Sequence, residues 1–301
     1  MSASQEQRCG LVAIVGAPNA GKSTLVNTLV GTKVSIVSPK VQTTRTRVLG
    51  IAIAGSAQVV FVDTPGIFSA KRRLERAMVA AAWMGAADAD VIALVVDASR
   101  GIDDDTRAIM QRLQETGREA VLVLNKIDVI KRDKLLGLTE ELNRAGLFVR
   151  TFMVSALKGD GVADLMAHLV EQMPEGHWLF PEDQISDMPM RLLAAEVTRE
   201  KIFLQLHQEL PYSITVETEN WEERPDGSAR IDLLVYVQRE GQKAIVLGKH
   251  GHQIKAIGAA ARHELEHLLD RRIHLFVHVK VRENWLDDPA RYREMGLDFG
   301  S

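Results

Sequence analysis

The stretch GAPNAGKST, Gly16 to Thr24, follows the apolar run LVAIV and opens a helical pattern. Its spacing fits G-x-x-x-x-G-K-[ST]. Two glycines there let backbone N–H groups close around phosphate oxygens at a helix N-terminus, where the helix dipole favours an anion. The reading makes Gly16, Asn19, Ala20, Gly21, Lys22, Ser23 and Thr24 nucleotide-binding, with Lys22 on the β- and γ-phosphates and Ser23 on Mg²⁺. The motif requires a strand before it and a helix after it, so it also sets the fold class as α/β.

Working outward, the runs VLGIAIA, QVVFV, VIALVV, AVLVL and RTFMVSA are β-branched and nearly continuous in apolar character, as strands buried on both faces should be. They alternate with helical patterns as far as Met173. This predicts a doubly wound, mainly parallel sheet over 10–173, with an N-terminal tail over 1–9. The Gly-Ser in VLGIAIAGSAQVVFVD leaves no room for a helix, so that pair reads as an antiparallel hairpin. Three prolines and no periodicity mark 174–189 as an interdomain linker. A helix over about 190–208, two strands, the turn GKHG, another helix and the strand RRIHLFVHVKV then give an α+β domain over 190–282. A C-terminal tail occupies 283–301.

The bound base is read from NKID, Asn125 to Asp128, at the end of a buried strand where open α/β sheets bind ligands. The Asp128 carboxylate matches the paired ring N–H and amino donors of guanine, a pair adenine lacks. Asn125 and the stem of Lys126 support and cover the base. In SAL, Ser155 to Leu157, the Ala156 N–H is read as a donor to the guanine carbonyl, beside Ser155. DTPG ends the third strand, with Asp63 holding Mg²⁺ through water and the Gly66 N–H meeting the γ-phosphate. In VQTTRTR, Thr44 is chosen over Thr43 to complete the Mg²⁺ shell, and Arg45 and Arg47 read as solvated surface side chains.

These motifs, in this order over 10–173, resemble those of translation-factor-type GTPases. The resemblance implies GTP hydrolysis coupled to ordering of two switch segments, about 33–47 and 66–76. Ras-like relatives place a water-orienting glutamine where Ile67 stands here. Asn19 occupies the position where similar GTPases use an asparagine to hold K⁺ against the phosphates, which implies slow, potassium-assisted hydrolysis with Asn19, Lys22 and Thr44 as the catalytic set.

In VLGKHGHQIKAIG the loop Gly248, Lys249, His250, Gly251 precedes a helix, and the surrounding element order is α-β-β-α-α-β. This resembles a type II KH domain, whose G-x-x-G loop clamps a nucleic-acid backbone. A GTPase of the TrmE-Era-EngA type followed by one KH domain is similar in layout to the Era family of ribosome-assembly GTPases. That resemblance implies binding to small-subunit (16S) ribosomal RNA, assistance to 30S subunit assembly, a cytoplasmic monomer with any membrane contact peripheral and at the inner face, and no DNA partner. The small residue usual at the third loop position is replaced by His250. Residues 190–301 carry 16 Lys and Arg against 18 Asp and Glu. RNA binding therefore has to be local, through Lys249, Lys255, Arg239 and Lys243, with Lys280 and Arg282 as further candidates.

Three rival readings are weighed. A P-loop kinase or ATPase conflicts with NKID, and a non-catalytic RNA-binding module conflicts with the intact Lys22, Ser23 and Asp63. The third is a zinc peptidase, from HELEH at His263 to His267. Ile254, Ile257, Ala261, Leu265 and Leu268 form the buried stripe of that helix, which turns both histidines away from the core and supplies no third ligand. No zinc is expected. Asp88 and Asp90 interrupt the one long apolar stretch, arguing against a membrane span. The single Cys9 excludes an internal disulfide and suits a reducing compartment.

Overall fold

The computed structural model describes residues 7–206, 210–283 and 285–300, which form two compact units. The first contains residues 7–35, 44–187 and 295–300. In chain order it runs β1 (Arg8–Val15), α1 (Lys22–Val30), β2 (Val48–Ala54), β3 (Ala57–Asp63), α2 (Arg73–Ala87), β4 (Val91–Asp97), α3 (Asp104–Glu115), β5 (Ala120–Asn125), α4 (Arg132–Asn143), β6 (Phe148–Met153) and α5 (Val162–Gln172). The sheet order is β2-β3-β1-β4-β5-β6. Only β2 runs antiparallel, turning at Gly55 as the Gly-Ser signal predicts.

Alternate residues of the central strands feed two cores. Val12, Ile14, Phe61, Val95 and Val123 pack on one face with Leu25 and Leu165, while Ala13, Val15, Leu94 and Leu122 pack on the other with Ile109 and Leu113. Burial on both faces explains the unbroken apolar runs. β6 departs from that expectation: it is a sheet edge, and Val149 is 56% exposed. The stretch with two central carboxylates is the end of α2 followed by β4, and no helix of the described residues is long and apolar enough to cross a membrane.

The proline-rich stretch after α5 is tied to the outer strands of the first unit as far as Asp187. Gln58 accepts from the N–H groups of Leu179 and Phe180 at 2.9 and 3.0 Å and donates to the Phe180 carbonyl at 2.8 Å. The Ile51 N–H donates to the Ile185 carbonyl, and the Ser186 hydroxyl donates to the Leu49 carbonyl. The physical reason is the open edge of β2, whose backbone groups need partners. At the other end, β1 begins at Arg8, two residues before the sequence-based start of the domain; residues 1–6 lie outside the described residues.

The second unit contains residues 36–43 and 188–294. It runs α6 (Met190–Gln205), β7 (Thr215–Glu223), β8 (Ala229–Val237), α7 (Glu240–Leu247), α8 (His252–Leu269), β9 (Ile273–Val281) and α9 (Pro289–Glu294). β7 pairs antiparallel and β9 parallel with the central β8, the latter pairing requiring the α7-α8 crossover. Val197 and Ile202 of α6 and Ile257 and Leu265 of α8 pack on Ile231, Leu233 and Val235. The end of the first helix expected from sequence, at about 208, lies outside the described residues. The segment read as a tail carries buried side chains, Trp285 and Tyr292, and the Trp285 ring N–H donates to the Ser213 carbonyl at 3.1 Å.

Candidate functional site

The loop between β1 and α1 is built on glycine at two points. A Cβ on Gly16 would lie 2.4 Å from the Val95 carbonyl oxygen, and one on Gly21 would lie 2.2 Å from the Asn125 amide nitrogen. Gly21 takes a left-handed conformation at φ 96° as it caps α1, and Asn19 takes one at φ 62°. Within this loop Lys22 is buried, donating to the carbonyls of Gly16 at 3.0 Å and Ala17 at 2.9 Å. Burial lowers its ammonium to about 8, opposed by Asp63. Thr24, in the first turn of α1, accepts from the Thr28 hydroxyl, which also reaches the Ala156 carbonyl at 2.7 Å.

The strand ends bring three oxygen donors together. The hydroxyls of Ser23 and Thr44 are 2.8 Å apart, and Thr44 donates to Asp63 Oδ2 at 3.4 Å. Asp63 is fully buried, and its other oxygen, Oδ1, has no hydrogen-bond partner among the described residues. Burial pushes this carboxyl up, opposed first by the Ser23 hydroxyl and also by Lys22 and Thr44. Two hydroxyls and a carboxylate with an unused lone pair suit a hard cation such as Mg²⁺. Thr43 turns elsewhere: its hydroxyl lies 2.6 Å from that of Ser38 and donates to the Lys40 carbonyl at 2.7 Å.

The DTPG turn packs on the same loop. A Cβ on Gly66 would lie 3.0 Å from Pro18, and the Ile67 N–H donates to the Gly16 carbonyl at 3.1 Å, with the Ile67 side chain buried. Arg45 departs from its reading as a surface arginine, being 2% exposed; Arg47 is exposed as expected. The burial of Arg45 directly after Thr44 is a tertiary fact with no local signal.

At the ends of β4 and β5 the residues expected to read the base meet the loop between β1 and α1. The Asn125 amide donates to the Ala20 carbonyl at 2.8 Å and accepts from the Ala156 N–H at 3.0 Å. That N–H was expected to point at the base; here the buried Asn125 takes it, tying the two loops together. Asp128 accepts from the Ser155 hydroxyl at 2.9 Å, which holds its carboxyl below the usual range, with Lys158 at 3.7 Å. Lys126, at φ 65°, donates to the Asn19 carbonyl at 2.7 Å and to Asp97 at 2.6 Å. Asp97 was missed from sequence. Burial alone would raise its carboxyl, but Lys126 and Ser99 hold it below the usual range. Its place at the end of the buried run VIALVVD was the available signal.

In the second unit the loop Gly248–Gly251 leads into α8. A Cβ on Gly248 would lie 2.6 Å from that of Gln253, and His250 adopts a left-handed φ of 53°. Lys249, His250 and Lys255 are exposed around it. Lys280 pairs with Glu219 at 3.2 Å and Arg282 with Asp288 at 2.7 Å, so these two candidates carry acidic partners. His263 and His267 are exposed on α8, away from the stripe Ile257, Ala261, Leu265. Glu264, the glutamate of HELEH, pairs with Lys201, and Glu266 accepts from the Ile273 N–H at 3.2 Å. Both acids therefore have structural partners.

The family model described as 50S ribosome-binding GTPase matches residues 11–126, and a KH domain model matches residues 209–286. GTPase Era of Rhizobium meliloti (strain 1021) is 62% identical over 292 residues, covering 97% of this chain and 93% of the relative. Among solved structures, an Aquifex aeolicus Era variant bound to GDP·AlF4− superposes with a TM-score of 0.92 at 41% identity, covering 96% of this chain and 99% of that one. Era in complex with MgGDPNP and nucleotides 1506–1542 of 16S ribosomal RNA gives 0.91 at the same identity and coverage. With identity of this extent over nearly its whole length, and a GTPase model and a KH model matched in one chain, the chain belongs to the Era family of GTPases.

Proposed function

We propose that the protein is a GTP-hydrolysing switch that binds 16S ribosomal RNA through its second unit and assists assembly of the 30S subunit. The observation that carries this reading is the meeting of Lys22, Ser23, Thr44 and Asp63 with Asn125 and Asp128 at one end of a sheet, in a chain that also bears a Gly248–Gly251 loop with Lys249 and His250 exposed. Lys22 neutralises the β- and γ-phosphates, Asn125 braces the base loop, and Asp128 selects guanine. Ser23, Thr44 and, through water, Asp63 would hold Mg²⁺, which when bound would supply positive charge at the phosphates. Gly248, Lys249, His250, Gly251 and Lys255 clamp the RNA backbone, and His250 restricts how closely it approaches. The related structure with a 16S fragment supports the choice of RNA.

Ile67 is apolar and buried, so it cannot orient a water. Asn19 would hold a K⁺ ion, which when bound would supply the missing charge, and turnover is slow. The functional boundaries are 10–173 for the nucleotide domain, 174–189 for the linker and 190–282 for the KH domain, and the protein acts as a cytoplasmic monomer whose only membrane contact is peripheral. Crosslinking to RNA in cells tests the reading. Recovery of the 3′ region of small-subunit ribosomal RNA is expected, and its absence with an RNA-competent, GTP-locked form would break the assembly role. Turnover in matched sodium and potassium buffers tests the cation: equal rates, unaffected by Asn19→Ala, would remove K⁺ from the mechanism.

A further inference from the structure

We propose that the second unit holds the first switch segment with its own side chains, and that Glu200 is a positioning residue for Thr44 in GTP hydrolysis. The proposal rests on the GTPase reading above. Residues 36–43 lie inside the switch segment read from sequence, yet they group with the second unit, while the residues on both sides belong to the nucleotide unit.

Three contacts bind this strap to α6. The Val37 N–H donates to Glu200 Oε1 at 2.7 Å. Lys40 donates to the carbonyls of Phe203 and Leu206 at the C-terminal end of α6, where the helix dipole favours a cation. Arg199 donates to the Thr43 carbonyl and pairs with Glu196. Arg199 and Glu200 are 1% and 3% exposed. Charged groups so deep are retained only with partners, and the backbone of the strap supplies one to each. The next residue is Thr44, whose hydroxyl lies beside Ser23 and Asp63. Consecutive Cα atoms are a fixed ~3.8 Å apart, so fixing the Thr43 carbonyl limits where Thr44 stands.

Glu200 is itself held. Its Oε2 accepts from Lys201 at 2.9 Å, and Lys201 pairs in turn with Glu264 of α8, the helix that leaves the Gly248–Gly251 loop. The series Val37, Glu200, Lys201, Glu264 thus runs, within one unit, from the switch segment to the helix behind the RNA loop.

Full-length wild type, Glu200→Ala, Glu200→Gln and Lys40→Met provide the test. The readouts are hydrogen exchange of amides over 34–44 without nucleotide, affinities for GDP and a non-hydrolysable GTP analogue across a Mg²⁺ titration, and kcat and KM for GTP. Losing one charged hydrogen bond predicts about tenfold faster exchange and about tenfold lower kcat in Glu200→Ala. The GTP analogue should weaken and need more Mg²⁺, while GDP affinity stays as in wild type. Glu200→Gln, whose amide oxygen still accepts from Val37, should recover all three readouts. Wild-type exchange and kcat in Glu200→Ala would overturn the proposal. So would equal weakening of GDP and the GTP analogue with no recovery in Glu200→Gln, the outcome of a merely structural role. Should Glu200→Ala fail to fold, Lys40→Met answers the same question by the same readouts. A wild-type chain that binds GTP without turnover would defeat the GTPase reading instead, and the exchange data would still decide whether α6 holds the strap.

Discussion

At the scale of single residues, the base-reading carboxylate makes the sharpest claim. Asp128 is kept charged by Ser155 and Lys158 and pointed by a short turn after β5. On the proposed reading, replacing it by Ala removes the acceptor for two donors of guanine, both charge-assisted and so among the stronger hydrogen bonds. Asp128→Ala should therefore weaken GTP by about a hundredfold or more and bring its affinity close to that of ATP, as titration with fluorescent nucleotides would show. A strand end and a four-residue motif were enough to nominate this residue from the sequence. Asp97 was not nominated, since its role depends on where the Lys126 ammonium lies once the two strand ends are side by side. Arg45 was misread for the same reason: nothing local says that a charged side chain after Thr44 will be covered.

Elements are where packing constrains the site. α1, which begins in the phosphate loop, lies on β2 at Gly50, where a Cβ would come 2.8 Å from Val30, 3.0 Å from Val26 and 3.1 Å from Val34. Gly50→Ala should cost about 1–3 kcal/mol by overpacking, read as a lower urea midpoint with an unchanged slope. On the same face, at the β6 edge of the sheet, His168 of α5 is buried against the Phe152 ring, 5.2 Å between centroids, with Arg150 beside it. Burial first, then Arg150, lowers its pKa from 6.5, with Glu171 opposing. A histidine whose folded pKa is depressed contributes stability that is fully present above the unfolded value. As pH falls below about 6.5 the unfolded chain takes up the proton first, and stability is lost until the folded pKa is passed. The loss in melting temperature between about pH 7 and pH 5 should accordingly be smaller in His168→Phe than in wild type. Strand periodicity revealed nearly every element of both units. It did not reveal that β6 is an edge or that 174–187 would line β2, because both follow from which strands end up unpaired.

For the whole molecule, charge is the limiting quantity. On the proposed reading, the net charge of −3 and the acidic excess over 190–301 leave RNA attraction to a few side chains around Gly248–Gly251. Each phosphate neutralised on a single strand contributes about −0.7 to the slope of log affinity against log salt. Lys249→Ala and Lys255→Ala should each flatten that slope by about 0.7 and weaken binding, while Lys280→Ala, whose side chain is already paired with Glu219, should change it little; filter binding at several salt concentrations separates these outcomes. The charge balance was readable from composition, whereas the partners that remove Lys280 and Arg282 from the count needed the strand register and the turn after β9.

The last residues, 295–300, belong to the same unit as β1 although the whole of the second unit is made between them. Phe299 lies under the Arg73 guanidinium at the start of α2, 4.4 Å from its centre, and Leu297 is buried. A chain still being synthesised therefore carries a nucleotide unit that lacks residues 295–300 until the whole of the second unit has been made. Loss of residues 295–300 is felt in the part of the protein made first.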